Sequence, residues 1–209
     1  FLYKANLCLR TALKIMKPIR VFKVYDDKTL YDGIFAIDLP KYFDVTSTFA
    51  IDTTMQSNVF DNSMFVSLKA KDALVDRFRK EVHNRPNVNS RAPQIRINIH
   101  LNNNDCTVSL DSSGNSLHQR GYRLATNLAP INEVLAAGLL LLSGWQGHTP
   151  FLDPMCGSGT FLIEAAMIAC NIPCNINREE YAFKNWLDYD DQLFQKIIES
   201  RLNKTRDYR

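Results

Sequence analysis

The stretch from Phe151 to Ala166 holds the residues best suited to contact a small ligand. It reads Phe-Leu-Asp-Pro-Met-Cys-Gly-Ser-Gly-Thr-Phe-Leu-Ile-Glu-Ala-Ala. Phe151 to Asp153 is predicted to end a short strand, and an amphipathic helix is predicted from Thr160 to Cys170. Between them, Gly157 and Gly159 let the backbone turn tightly and come close to a ligand. In open α/β sheets, ligands bind at such a strand–turn–helix junction.

The residues missing from this turn narrow the class of ligand. A phosphate-binding P-loop ends in Gly-Lys-Ser/Thr, and the turn contains no lysine. A dinucleotide fingerprint needs a third glycine, at the position that Leu162 occupies. The acidic Asp153 favours a cationic ligand, such as the sulfonium and α-ammonium groups of S-adenosylmethionine (AdoMet). A purely structural glycine turn is the alternative.

A second cluster of functional residues is basic. Residues 69–96 contain eight lysines and arginines against three acids, an excess of five, whereas the whole chain has a net charge of only +3. Such a surface neutralises phosphates, although a solvated helix face with internal ion pairs is the alternative. The residues predicted to contact RNA in this cluster are Lys69, Lys71, Arg79, Arg85, Arg91 and Arg96.

A stacking ring between two cations follows the basic cluster. Arg120, Tyr122 and Arg123 offer the aromatic and guanidinium groups that hold single-stranded RNA. The same residues are equally suited to fixing the segment that joins two domains. Both interpretations are open at this point.

The elements that must position these residues change in character along the chain. The first ~115 residues mix short helices and strands, with helices at 2–16, 29–37 and 62–82 and strands at 19–25, 46–53, 94–101 and 106–110. In the third helix, Phe65, Leu68, Ala73, Leu74, Phe78 and Val82 are predicted to share the buried face. A strong helix at 129–143 and the strand–turn–helix segment then indicate an α/β sheet. The boundary is predicted between Asp111 and Gly121.

Composition excludes several classes of protein. Of the 209 residues, 45% are hydrophobic and 22% charged, as in ordinary globular proteins. The longest apolar stretch, from Val134 to Trp145, is shorter than the roughly 20 residues that cross a bilayer, so no membrane association is expected. Five scattered cysteines without a CxxC pair indicate a cytoplasmic protein rather than a disulfide scaffold or a zinc site. No metal is expected, and no oligomeric state is favoured.

Taken together, these motifs resemble the THUMP-containing class I RNA guanine-N2 methyltransferases, in the form of the bacterial 23S ribosomal RNA enzymes. Asp153 to Thr160 resembles the family's first AdoMet-binding motif. Leu110 to Arg123 is similar to its connecting segment, and Ala129 to Ala137 to the helix that helps close the cofactor pocket. Arg85 to Val88 and Ala92 to Arg96 are similar to the end of its THUMP domain.

The resemblance implies a fold, a cofactor and a set of contacts. An α+β THUMP-like RNA-binding domain (1–118) is expected to precede the start of an α/β Rossmann-like class I methyltransferase domain (119–209). The implied activity is AdoMet-dependent methylation of the exocyclic N2 of a guanosine in 23S ribosomal RNA. The residues expected to bind the cofactor are Asp153, Pro154, Met155, Cys156, Gly157, Ser158, Gly159, Thr160 and Pro130.

The chain also departs from the family pattern. Asn132 stands where the family usually has a basic residue, and the catalytic Asn-Pro-Pro-Tyr-type motif does not occur. The sequence is therefore expected to be an internal part of a longer enzyme, inactive alone and without catalytic residues of its own. Two alternatives are a transfer RNA guanine-N2 methyltransferase and a non-catalytic THUMP RNA-binding module.

Overall fold

The computed structural model describes residues 1–123 and 130–207, which form parts of two compact units. The sheet unit comprises Met16–Gly114 and Ala182–Tyr189, and the turn unit comprises Phe1–Ile15, Asn115–Tyr181 and Asp190–Arg209. The two units do not follow the predicted domain boundary at 118/119, because each unit contains segments from both sides of it. Backbone hydrogen bonds explain this, because the amide of Asn175 donates to Leu7 and the amide of Phe183 donates to Ser112.

The sheet unit is built on four strands in the order β1-β4-β3-β2. These are β1 (Met16–Lys23), β2 (Phe49–Gln56), β3 (Ile95–Asn102) and β4 (Asp105–Asp111). β4 pairs antiparallel with β1 and β3, while β2 and β3 are parallel. The predicted hairpin between β3 and β4 is confirmed, with Asn102 opposite Asp105.

Two helices complete the sheet unit, α2 (Asp27–Phe35) and α3 (Ser63–Val82), together with single 3₁₀ turns at Leu39–Lys41 and Ala182–Asn185. The predicted buried face of α3 is wrong in part, because Phe65, Leu68 and Val82 are 44, 50 and 43% exposed. The face that packs inward instead follows a neighbouring helical stripe. Its buried members are Val66, Ala70, Ala73, Leu74, Val75 and Phe78.

The predicted helix over 2–16 is also shorter in the structure. Helix α1 (Leu2–Cys8) ends early, and Met16 to Pro18 join β1 by pairing with Asp111 to Ser109 of β4. Pro18 is tolerated there because β1 is an edge strand with a register shift between Pro18 and Arg20. Strand pairing therefore overrides the local helical pattern.

Among its described residues, the turn unit contains α1 and three further helices, α4 (Glu133–Leu142), α5 (Thr160–Ala169) and α6 (Asp191–Leu202). α4 packs against α5. The predicted strand at Phe151–Asp153 is wrong for the chain as described, because no strand of this unit lies among the described residues to pair with it. Ala129, the predicted start of α4, lies outside the described residues.

Two further properties concern residues 1–123 and 130–207 alone. Within these ranges, no helix combines the length and apolar character needed to cross a membrane. The same ranges contain no group of three or more His, Cys, Asp or Glu side chains arranged to hold a metal ion.

Candidate functional site

The glycine turn is held in shape by its own hydrogen bonds. The carboxylate of Asp153 accepts from the amide of Met155 at 3.1 Å, and the amide of Gly159 donates to the carbonyl of Cys156 at 2.7 Å. Gly157 and Gly159 have φ of +53° and +76°, which side-chain-bearing residues rarely adopt. Gly159 is also the N-cap of α5, so the turn leads directly into that helix.

The space beside the two glycines is open. A Cβ atom built on Gly157 or Gly159 would have no neighbouring atom within 4 Å. Pro154, Met155, Cys156 and Ser158 of the same turn are exposed. The glycines are therefore needed for the backbone conformation and not for packing, and the turn leaves room for a ligand against its backbone.

Thr160, the last residue predicted to contact the cofactor, is different because it is only 2% exposed. Its hydroxyl accepts a hydrogen bond from Nη2 of Arg123 at 2.9 Å and lies 3.3 Å from the hydroxyl of Ser158. The Thr160 side chain therefore points into the protein, where its hydroxyl contacts Arg123 and Ser158.

Arg123 links this turn to the segment that leads into α4. The same Nη2 donates to the carbonyl of Ile131 at 2.8 Å, and Nε lies 2.7 Å from Oε1 of Glu133. Arg123, Pro130 and Glu133 are among the residues that line a cavity of about 450 Å³. Pro130, predicted from the resemblance to contact the cofactor, thus lies in the wall that Arg123 joins to the glycine turn.

The prediction that Arg120 contacts RNA is wrong for this structure. Its side chain is 1% exposed, and its guanidinium donates to the carbonyls of Arg10 at 2.6 Å and Leu117 at 2.9 Å. It also forms an ion pair of 3.3 Å with Glu164. A guanidinium enclosed in this way offers no surface to RNA, so its contacts fit the alternative, in which it fixes the segment expected to join two domains.

Sequence reasoning missed Glu164, the centre of this buried network. Burial raises the pKa of its carboxyl above the ordinary value, while the charges of Arg120 and Arg10 oppose that shift. The hydroxyl of Tyr122 donates to the same carboxylate at 3.3 Å, and burial raises the tyrosine's pKa. The signal in the sequence is an acidic residue within an otherwise apolar predicted helix, because a buried carboxylate needs basic or hydroxyl partners.

Four of the predicted RNA contacts lie together in the sheet unit. Lys69, Lys71, Arg79 and Arg85 line one groove of about 690 Å³, together with Tyr31 and residues 86–88. Arg96 does not line that groove and is paired with Asp52 at 2.6 Å. Arg91 lies outside the groove lining as well.

Acidic residues temper the charge of this groove. Lys69 lies 3.1 Å from Asp27, Lys71 lies 2.8 Å from Asp72, and Arg79 lies 3.1 Å from Asp76. These pairs are solvent-exposed, where an ion pair is worth roughly 0 to 1 kcal/mol. Phosphates can therefore compete for the same cations. The ion-paired helix face that the sequence left open as the alternative is therefore present.

Two family models match the chain, one in each half. Residues 24–111 match the THUMP domain. Residues 120–207 match the UPF0020 family, described as RMKL-like, methyltransferase domain. The glycine turn and Arg123 lie within the second match, and the basic groove lies within the first.

Solved structures resemble the chain over nearly all of its length. One from Listeria monocytogenes, described as a predicted N6-adenine-specific DNA methylase, is 28% identical with a TM-score of 0.88, covering 98% of this chain and 54% of that one. A methyltransferase complexed with SAH is 33% identical with a TM-score of 0.83 and the same two coverages, 98% and 54%. The chain therefore spans about half the length of these structures.

A more distant likeness concerns the fold alone. TrmN from Thermus thermophilus is 17% identical, has a TM-score of 0.62, and is matched over 96% of this chain and 57% of that one. The expected order of domains, THUMP followed by methyltransferase, is confirmed by the two family matches.

Proposed function

We propose, from the premise that this chain joins a THUMP domain to an RMKL-like methyltransferase domain, that it carries the RNA-binding and cofactor-binding parts of an rRNA methyltransferase. The reaction is methyl transfer from AdoMet to the exocyclic N2 of a guanosine in 23S ribosomal RNA. The observation that carries the proposal is the open glycine turn from Asp153 to Thr160.

The residues of the turn fit S-adenosylmethionine, the cofactor of this methyltransferase domain; a neighbour 33% identical to the chain was crystallised with SAH. Asp153 supplies a carboxylate beside the turn, which suits a ligand with ammonium and sulfonium charges. Gly157 and Gly159 leave the backbone open to close approach. Pro130 contributes to the wall of the adjoining cavity.

In this proposal the cofactor supplies an electrophilic methyl group, and the chain's own residues supply position. Residues 153–160 hold the donor at the mouth of the turn. A base stacked in RNA cannot reach that position, so the target nucleotide has to be flipped out. Alignment of donor and acceptor can account for a large part of the barrier lowering. The residues that grip the flipped base are expected elsewhere in the longer enzyme, so the chain alone is proposed to be inactive.

RNA contact is assigned to the basic groove of the sheet unit. Lys69, Lys71, Arg79 and Arg85 line that groove. On the turn unit Tyr122 remains a candidate, whereas the predicted RNA contact of Arg123 is replaced by its contacts with Thr160, Ile131 and Glu133. Four cations along one groove suit a phosphate backbone. A cytoplasmic location is part of the proposal and rests on the five scattered cysteines without a CxxC pair.

The test uses the full-length protein, tritiated AdoMet, and ribosomal RNA from cells that lack the enzyme. After digestion to nucleosides, the label is expected in N2-methylguanosine from large-subunit RNA. Label only in transfer RNA would overturn the substrate, and label in N6-methyladenosine would overturn the acceptor atom. No label, with RNA still bound, would favour the non-catalytic binding module.

The Asp153→Ala variant tests the assignment of the turn. It removes the carboxylate that faces the cofactor, and methyl transfer is expected to fall at least tenfold because a hydrogen bond to a charged group contributes about 1.5 to 3 kcal/mol. Asp61→Ala removes an exposed carboxylate from the sheet unit and should leave transfer unchanged. Full activity of Asp153→Ala would remove that residue from the site.

A further inference from the structure

One guanidinium, that of Arg123, contacts three separate points of the turn unit. Nη2 donates to the hydroxyl of Thr160 at 2.9 Å and to the carbonyl of Ile131 at 2.8 Å, while Nε lies 2.7 Å from the carboxylate of Glu133. Glu133 and Thr160 are 4% and 2% exposed. Charge-assisted hydrogen bonds between such enclosed groups are stronger than those at a surface.

Two of the three contacts lie at the first residue of a helix, and the third lies in the wall of the cavity. Glu133 is the first residue of α4, and Thr160 is the first residue of α5. Ile131 directly follows Pro130 in the wall of the 450 Å³ cavity. Arg123 therefore fixes the starts of two packed helices to each other, and with them the glycine turn to the segment 130–132.

We propose that Arg123 is a positioning residue for the cofactor, which holds the glycine turn and the Pro130–Asn132 segment at the separation that binds AdoMet. This inference rests on the proposed function. Arg123 does not contact the cofactor in this role. It acts through Thr160 and Glu133, and its loss lets the two walls of the site move independently.

The geometry requires arginine rather than any cation. A guanidinium is a planar group with donors in a fixed fork. Here Nη2 donates to a hydroxyl and a carbonyl, while the same charged group forms an ion pair with a carboxylate. Lysine offers one compact ammonium on a flexible stem. An Arg123→Lys exchange should keep the charge opposite Glu133 and lose the fixed spacing between Ile131 and Thr160.

The experiment measures AdoMet affinity by calorimetry in the full-length protein, for wild type, Arg123→Lys and Arg123→Gln. The Kd for AdoMet is expected to rise roughly tenfold or more in Arg123→Gln, since a charged group's hydrogen bonds are lost, and by less in Arg123→Lys. In turnover assays, the KM for AdoMet should rise while the KM for RNA stays constant. A general loss of folding would not produce that split.

Arg77→Gln is the matched control. Arg77 is an ion-paired arginine of the sheet unit whose side chain is 19% exposed, against 17% for Arg123, and its guanidinium contacts Asp38 at 3.7 Å and Glu81. Its loss should lower thermal stability and leave the AdoMet Kd of the folded protein unchanged. An equal rise in Kd in the Arg77 and Arg123 variants would overturn the positioning role.

Thr160→Val keeps the inference testable even where Arg123→Gln does not fold. It removes only the hydroxyl that Arg123 contacts, and the AdoMet Kd should again rise, with little further rise in the double variant. Unchanged affinity in both folded single variants would overturn the inference. Wild-type protein that does not bind AdoMet at all would instead refute the proposed function.

Discussion

Gly121 is the glycine of the turn unit that is least able to accept a side chain. Its φ is +86°, and a Cβ atom there would lie 2.5 Å from the backbone carbonyl oxygen of Asn177. Backbone atoms cannot swing away as the end of a side chain can. Gly121 also lies two residues before Arg123, so a displaced backbone at this point would move the guanidinium that contacts Thr160.

We expect Gly121→Ala to destabilise the protein more than Gly144→Ala. Both substitutions place alanine at positive φ, which costs roughly 1 to 2 kcal/mol, but Gly144 has no atom within 4 Å of a new Cβ. Thermal unfolding of the two variants measures the difference, with Gly144→Ala as the control for backbone strain alone. Equal melting temperatures would mean that the contact with Asn177 relaxes freely.

At the scale of elements, sequence patterns predicted those segments whose partners are near in the chain. The hairpin of β3 and β4 followed from alternating isoleucines around an Asn-rich turn, and α5 followed from the glycines before it. Failures occurred where distant segments decide the outcome. Met16 to Pro18 became a strand because β4, about ninety residues later, pairs with it.

The candidate site also combines residues that a local motif predicts with residues whose roles depend on distant partners. The residues of the turn, 153–160, could be predicted because a ligand-binding turn is a local motif. For Arg120 and Arg123 the sequence left RNA contact and a structural role equally open. It could not decide between them, because the partners Glu164 and Thr160 lie about forty residues further along the chain. A basic residue next to a tyrosine has the same local pattern whether it faces RNA or a buried carboxylate.

Asn132 has a local role that its departure from the family pattern did not suggest. It is the N-cap of α4, and its side-chain oxygen accepts from the amides of Val134 at 2.9 Å and Leu135 at 3.3 Å. A basic side chain has no acceptor for these amides, so the exchange at this position provides a helix cap. The cap holds the start of α4, where Glu133 meets Arg123.

Asn132→Ala should therefore destabilise the protein by about 1 kcal/mol, the usual cost of losing an N-cap. That corresponds to a fall of roughly 2 to 4 °C in the melting temperature for a domain of this size. Asn132→Asp retains an acceptor and is the control, expected to match the wild type. A melting temperature that falls equally in both variants would show that the amide group itself, rather than its capping oxygen, is required.

On the scale of the whole molecule, charge is placed unevenly. The net charge of +3 is small, yet an excess of five positive charges lies within residues 69–96. Four of those basic residues line the groove of the sheet unit. RNA affinity should therefore depend on which lysines and arginines are present, and only weakly on the total charge.

The salt dependence of RNA binding shows whether the groove residues or the total charge of the protein control the affinity. Each phosphate contact contributes about 0.7 to 0.9 to the slope of log K against log salt concentration. In the full-length protein, the double variant Lys71→Gln, Arg85→Gln should lower that slope by roughly 1 to 2 and weaken RNA binding at every sequence tested. Lys196→Gln with Lys204→Gln removes the same charge from exposed positions of the turn unit and should leave the slope nearly unchanged. If both double variants lower the slope equally, net charge rather than the groove controls RNA binding, because a localised site cannot respond to charges that it does not contain.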